Sequence, residues 1–420
     1  MLNFSYIGQF TRGNLSLLLS TKGSDTSKTI YLDNNATTRV APEVLDAMLP
    51  YFRDHYGNPS SAYGLGGRIK EKIDEARHSV SELLGAHPRE ILFTSGGTES
   101  DNTAIRSALE AYPEKRHIVT SQVEHPAIRS LCQPLAKKGY RVTEVPVDEN
   151  GRLDFDFYER SLTPDTAIVS LMWANNETGV LFPVEKAAEK AREKGILFHT
   201  DAVQAVGKIG INLSDTAIDM LSLSGHKLHG PKGVGALFVR KGISFKPLLI
   251  GGHQERGRRA GTENAPGIIG LGKAAELARA HIIEKNSRVR DLRDKLESAI
   301  VNSIPETHIH GYTEERLPNT TNIGFEYVEG EAILLLLDEL GICASTGSAC
   351  TSGSLEPSHV LLAMGISHAS AQGAVRFSLS PDNTENEIDF VSENIPGIID
   401  RLREMSPLWK GNRVAVAGGG

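Results

Sequence analysis

Four short stretches of this chain hold residues whose types and spacing could do chemistry. The first is Ser95-Gly96-Gly97-Thr98, directly after the apolar run Ile91–Thr94. Backbone N–H groups and the Thr98 hydroxyl at such a strand-to-helix junction can cradle a phosphate, although a tight turn that needs glycine explains the same residues. The second is His199-Thr200-Asp201-Ala202-Val203-Gln204. A carboxylate at the end of a buried strand is costly unless it meets a cation or a donor. A protonated pyridine nitrogen is one such partner, and a helix N-cap is the plainer use of the same residue. The third stretch runs from Ser222 to Gly233, where Lys227 is hemmed in by small, polar and glycine residues. Desolvation of a lysine lowers its pKa and makes it a Schiff-base nucleophile; a solvated surface lysine is the alternative, and the one Lys232 suggests. His226 and His229 lack a third ligand of suitable spacing, so no metal is expected. The fourth stretch runs from Cys343 to Ser354 and sets Cys350 amid small polar residues. An accessible free thiol is a liability unless used, so Cys350 is a candidate nucleophile. Cys343 and Cys132 are expected to be buried packing.

These stretches need elements to position them. From about residue 90 the chain repeats a short β-rich run, a glycine- or asparagine-rich turn and an amphipathic helix. Strands are predicted at 91–94, 117–123, 140–147, 166–174, 196–200, 218–223 and 235–239. Helices are predicted at 99–110, from Pro126 to the residues before Gly139, and at 183–194. The alternation implies an α/β fold with a large, mostly parallel sheet covered on both faces. A long helical stretch over 265–304 interrupts it. Beyond lie a strand at 320–327, a helix at 331–340, a strand at 375–379 and a final helix. In that helix Ile388, Val391, Ile395, Ile398 and Leu402 recur at three and four residues, after a capping box of Thr384 with Glu387.

The expected organisation is a leader over 1–28, a large domain over 29–285, a smaller α+β domain over 286–405 carrying the Cys350 loop, and a tail over 406–420. The first segment of the large domain, about 29–40, is available to pack with the small one. The leader reads as disordered; its scattered basic residues and serines also fit a transit-like presequence, which would place the protein in an organelle and not the cytoplasm.

Composition narrows the function. Of 420 residues, 40% are hydrophobic and 23% charged, the balance of a globular protein. The 45 Lys and Arg against 52 Asp and Glu, a net charge of -7, do not advertise nucleic acid or an anionic membrane as partner. Three cysteines make no disulfide framework and fit a reducing compartment. The longest strongly apolar stretch, 332–337, is stopped by Asp338, so nothing in the sequence spans a bilayer.

A phosphate turn, a strand-end Asp201 and then Lys227, 26 positions later, form the ordered toolkit for pyridoxal 5'-phosphate. From about Tyr31 to about Arg403 the sequence resembles the cysteine desulfurases of the NifS/IscS class, class-V aminotransferase-like enzymes of pyridoxal-phosphate fold-type I. The resemblance rests on Tyr31-Leu32-Asp33-Asn34-Asn35-Ala36-Thr37-Thr38, Tyr56-Gly57-Asn58-Pro59-Ser60-Ser61, Glu124-His125-Pro126 and Asn175-Asn176-Glu177-Thr178-Gly179. It continues in Arg259-Ala260-Gly261-Thr262-Glu263-Asn264 and Ser348-Ala349-Cys350-Thr351-Ser352.

The resemblance implies roles. Lys227 forms the Schiff base, Asp201 holds the pyridine nitrogen protonated, and Gln204 hydrogen-bonds the ring hydroxyl. His125 stacks on the ring and moves protons. Gly97, Thr98, Ser224 and His226 bind the phosphate, with Thr262 donated by the partner subunit of a homodimer. Asn35, Asn176 and Arg376 hold the substrate carboxylate, a task that suits a planar guanidinium. Asn176 also contacts the cofactor. L-Cysteine would become L-alanine, with sulfur carried as a persulfide on Cys350 to an iron–sulfur scaffold protein of the IscU/NifU type or another acceptor. Thr346 and Ala260 stand where serine is commoner, which leaves the chemistry unchanged. Rival expectations are an aminotransferase or selenocysteine lyase of the same fold, and a non-catalytic sulfur carrier. Pyruvate in place of alanine would mark the aminotransferase, and a visible cofactor band would dismiss the carrier.

Overall fold

The computed structural model describes residues 29–280, 282–346 and 356–409. The elements are β1 (Ile30–Tyr31), α1 (Pro42–Arg53), α2 (Gly64–Leu84), β2 (Ile91–Thr94), α3 (Gly97–Ala111), β3 (His117–Ser121), α4 (Pro126–Lys137) and β4 (Arg141–Val145). Next come α5 (Phe155–Ser161), β5 (Thr166–Met172), α6 (Val184–Glu193), β6 (Leu197–Asp201), β7 (Met220–Ser224), β8 (Gly235–Val239), α7 (Ala265–Ala280) and α8 (Ile282–Ser303). The chain closes with β9 (Thr307–Ile309), β10 (Thr320–Phe325), α9 (Gly330–Glu339), β11 (Ile342–Cys343), α10 (His359–Ala363), α11 (His368–Gln372), β12 (Ala374–Ser378) and α12 (Glu385–Met405).

Seven strands form one sheet in the order β2-β8-β7-β6-β5-β3-β4. Every pair from β7 to β4 is parallel, and β8 runs antiparallel to both β7 and β2. The central strands β3, β5, β6 and β7 are buried along their whole length, as apolar runs covered on both faces must be. The helical stretch expected as one over 265–304 is two helices, α7 and α8. Helix α7 packs on α2 and α1 beside the sheet, while α8 joins α12, so the two serve different cores.

A three-stranded antiparallel sheet, β12-β10-β9, forms a separate layer. Its core gathers Ile30 and Leu32 with Val289, Leu296, Ile323, Phe377, Ile388 and Ile395. Helix α12 keeps its apolar stripe inward and begins at the capping box of Thr384 and Glu387. Cys132 is buried in α4, as expected of packing. Cys343 is not: it lies half-buried at the end of a two-residue edge strand, which leaves one side of the thiol uncovered. No helix among the described residues is long and apolar enough to cross a membrane.

Candidate active site

The parallel strands end on one side of the sheet, and the residues singled out above collect there, as ligand sites of doubly wound sheets do. Asp201 is the last residue of β6. A run of turns, not a helix, comes after it, so the N-cap use is not the one found: Asp201 Oδ1 accepts from the Val203 N–H at 2.9 Å. Burial pushes the Asp201 pKa up, opposed by the nearby charges of His125 and Lys227. His125 caps α4 through Nδ1, which accepts from the Ala127 N–H at 3.1 Å. Burial lowers the His125 pKa, with Asp201 acting against that shift and Lys227 with it. Acid, imidazole and amine are therefore close enough to set one another's charge.

Lys227 ends a single helical turn after β7. Its Nζ donates to the Asn35 carbonyl and, at 2.8 Å, to the Ala36 carbonyl. Gln204 Nε2 donates to that same Asn35 carbonyl at 2.9 Å. The segment Asn34 to Thr38 is thus laid across the strand ends, held by Thr38 Oγ1 on the His226 carbonyl and by Asn35 N–H on Ser378 Oγ.

On the other side lies an open cleft of about 350 Å3 lined by Thr37, Gly96, Gly97, Thr98, Ser224 and His226, among others. Gly96, with φ +151, adopts a backbone that side chains rarely take, and α3 starts from there, so the helix end whose first N–H groups lack helical partners lines the cleft. Lys232 adds a cation to the rim. Burial and the two neighbouring lysines hold His226 down to about 4, so its imidazole is neutral, and Nδ1 meets Thr37 Oγ1 at 3.1 Å.

Arg376, on β12, is buried and donates through Nη1 to the Asn176 carbonyl (2.9 Å) and through Nη2 to Asp33 Oδ1 (2.6 Å). Asn35 Nδ2 donates to the Asn176 carbonyl (3.2 Å) and to Thr320 Oγ1 (2.8 Å). Asn35, Asn176 and Arg376 therefore form one bonded group. Thr262 does not join the phosphate cleft of its own chain: it is exposed on a loop pinned by Arg259 to Glu99 at 2.9 Å. Cys350 and its loop lie outside the described residues.

Several site residues were missed by the sequence reasoning. Lys208 reaches into the site, yet a lysine after glycine reads as surface. Asp33 and Asn319 bond to Arg376 and Asn35 from segments far apart in sequence. Asp101 and Glu124 place two more carboxyls beside Asp201, and their proximity has no sequence signal except that Glu124 precedes His125.

A pyridoxal phosphate fits these residues. The buried Asp201 carboxylate matches a pyridinium nitrogen, the α3 N-terminus with Ser224 suits a phosphate, and Lys227 suits an aldehyde. Fold and site define a pyridoxal-phosphate enzyme of fold-type I. The model of the family described as aminotransferase class-V matches residues 30–391. A cysteine desulfurase of Gluconacetobacter diazotrophicus is 60% identical over 391 residues, covering 93% of this chain and 98% of the relative. The cysteine desulfurase NifS of Azotobacter vinelandii is 59% identical over 384 residues, 91% of this chain and 96% of the relative. A solved NifS-like protein superposes with a TM-score of 0.84 at 41% identity over 89% of this chain and all of the other. A structure described as SspA in complex with cysteine does so with a TM-score of 0.76 at 37% identity, over 85% of this chain and all of the other. The chain belongs to the class-V aminotransferase family and, within it, to the pyridoxal-phosphate-dependent cysteine desulfurases.

Proposed function

We propose that the chain converts L-cysteine to L-alanine at this site and carries the sulfur away as a Cys350 persulfide. One observation supports the reading above the rest: Asp201, His125 and Lys227 meet at strand ends between a glycine-rich anion cleft and a buried Arg376.

Arg376 receives the α-carboxylate of cysteine, with Asn35 and Asn176 beside it, in a site where a bidentate cation suits a planar anion. Gly97, Thr98, Ser224 and His226 hold the phosphate, Gln204 the ring hydroxyl and Asp201 the pyridine nitrogen. Pyridoxal phosphate, when bound, supplies the electron sink that makes cleavage at the substrate β-carbon possible. Lys227 would hold the cofactor, and the Lys227 amine and the His125 imidazole would take and return protons beside the bound substrate. The Cys350 thiolate attacks the substrate sulfur: an S–S bond forms as the C–S bond breaks, and the electron pair stays with carbon until protonation gives alanine.

The acceptor in this reading is an iron–sulfur scaffold protein of the IscU/NifU type, and the compartment is the cytoplasm. The enzyme works as a homodimer in which Thr262 reaches the partner's phosphate. Leu45, Leu49, Phe52, Tyr56 and Ile250 are all exposed apolar residues, more than a lone subunit needs on its surface. Sedimentation of the holoenzyme at twice the chain mass is the expected result.

The decisive experiment measures alanine and sulfide release from L-cysteine with a reductant. Cys350→Ser is expected to lose at least about a hundredfold in rate, as removal of a nucleophile does, with its visible cofactor band intact. Undiminished release from that variant would refute the persulfide step. Lys227→Ala is expected to lose the band itself.

A further inference from the structure

Lys208 stands four residues after Gln204, in the turn after β6, and its amine is turned inward. Nζ donates to Gln204 Oε1 at 2.9 Å and to Asn35 Oδ1 at 3.1 Å. Both acceptors are side-chain amide oxygens, and both amides belong to the site. Gln204 Nε2 then donates to the Asn35 carbonyl, which also accepts from Lys227. Asn35 Nδ2 faces the Asn176 carbonyl, which also accepts from Arg376. Asn319 Nδ2 completes the shell by donating to Asn35 Oδ1 at 3.0 Å.

An amide can turn through half a circle with almost no change of shape, exchanging its donor for its acceptor. An N–H donor on the oxygen side opposes that turn, because the turned amide would aim N–H at N–H. A neutral hydrophobic residue at 208 would leave Gln204 Oε1 without this donor and Asn35 Oδ1 with Asn319 alone, so both orientations would be held more weakly. The charged groups facing Lys208 are Lys227 and Arg376, the latter paired with Asp33. Burial and these two cations depress the Lys208 pKa well below the ordinary lysine range, so the amine is held there against an electrostatic cost. On the outer side, Asn286 of α8 donates to the Lys208 carbonyl at 2.7 Å and fixes the turn.

We propose that Lys208 is a positioning residue for the desulfurase: it locks the Gln204 and Asn35 amides so that their N–H groups, and not their oxygens, face the Lys227 side and the Arg376 side of the site. The proposal rests on the roles given above to Gln204 and Asn35. It makes the cofactor half and the substrate half of the site share one anchor.

The test uses Lys208→Met, which keeps the stem and removes the donor, and Lys208→Arg, which keeps it. The first readout is the affinity of the apo chain for pyridoxal phosphate, read from the visible band; the second is the split between KM for cysteine and kcat. Loss of one oriented hydrogen bond predicts about tenfold weaker cofactor binding and about tenfold higher KM for Lys208→Met, with a smaller change in kcat. Lys208→Arg is expected to recover most of both. In a Gln204→Ala background the same Lys208→Met change should weaken cofactor binding less than about twofold, since coupled residues are not additive. Wild-type affinity and KM in a folded Lys208→Met chain would overturn the proposal, and so would an undiminished loss in the Gln204→Ala background. Should Lys208→Met fail to fold, the same comparisons are made with Lys208→Gln. A wild-type chain that takes up no cofactor would sink the parent reading as well, and the two failures are told apart by that control.

Discussion

At the scale of single residues, the site is governed by charges that burial makes expensive. Glu124 shows this without touching the phosphate or the carboxylate cleft. Its Oε1 accepts from Ser121 Oγ (2.6 Å) and from the Met172 N–H (2.9 Å), while Oε2 finds no partner among the described residues. Burial, helped by the nearby Asp201 charge, pushes its pKa up to about 8. Asp101 is pushed up for the same two reasons, and its neighbour His199, held down to about 3 by burial, offers no compensating cation. Glu124 therefore keeps its proton near neutrality and Asp101 is shifted the same way, whereas Asp201 is the carboxyl on which the His125 and Lys227 charges act against burial. A carboxyl whose folded pKa exceeds the unfolded value of about 4.3 binds its proton more tightly in the native state, so stability falls as pH rises from there toward 8. Glu124→Gln is expected to lose less stability than wild type between pH 5.5 and 8.5. Urea midpoints at the two pH values check it, and equal pH slopes in both proteins would refute it. Asp101 still titrates in the variant, so part of the slope stays.

Local chemistry was legible at this scale, because a strand-end Asp201 and a glycine-hedged Lys227 announce themselves within a few neighbours. Lys208 and Glu124 did not. Their environments are made by Asn35, 173 residues from Lys208, and by Met172, 48 residues from Glu124, and no local pattern records such meetings.

At the scale of elements, the phosphate turn depends on how β2, β7 and β8 are packed. The strands were readable as apolar runs, and a parallel sheet was implied by the alternation with helices. The antiparallel β8 was readable in principle too: only Gly225–Val234 joins it to β7, too little chain for the crossover a parallel neighbour requires. Gly235 shows why this edge matters. A Cβ there would lie 2.5 Å from the Leu223 carbonyl oxygen and 2.7 Å from the Gly96 Cα, both backbone atoms. Gly235→Ala must therefore push β8 from β7 or shift the Ser95–Thr98 turn. Overpacking of this kind costs about 1–3 kcal/mol, and here the strain falls on the anion cleft. A lower melting temperature together with roughly tenfold weaker cofactor uptake is expected. Lower stability with wild-type cofactor affinity would mean that β8 moves and the turn does not.

At the scale of the whole molecule, one stretch near the start of the described chain ties the parts together. Ile30 and Leu32 sit in the core around the three-stranded sheet, and β1 pairs parallel with β11. A few residues later Asn35 and Ala36 accept from Lys227, and the Ala41 N–H reaches the His229 carbonyl beside the large sheet. Asp33, between these anchors, holds Arg376. A strand pairing of two residues holds a segment weakly; main-chain bonds of Leu32 and Asn34 to Cys343 and Ser378 add to it, and so does the Leu32 side chain, which is fully buried. Sequence periodicity has no grip on so short a strand, so no local pattern places it. Removing the Leu32 side chain leaves a cavity in the smaller core, and Leu→Ala at such sites costs about 2–5 kcal/mol. The same change frees Asp33, and through it Arg376, from a fixed geometry. Leu32→Ala is therefore expected to lower the unfolding midpoint and to raise KM for cysteine several-fold, with cofactor affinity reduced less. Stability, KM and the visible band can all be read on one preparation. A variant that is destabilised but keeps the wild-type KM would show that Arg376 is held by β12 and Asn176 alone, and that the entering segment serves folding and not the substrate.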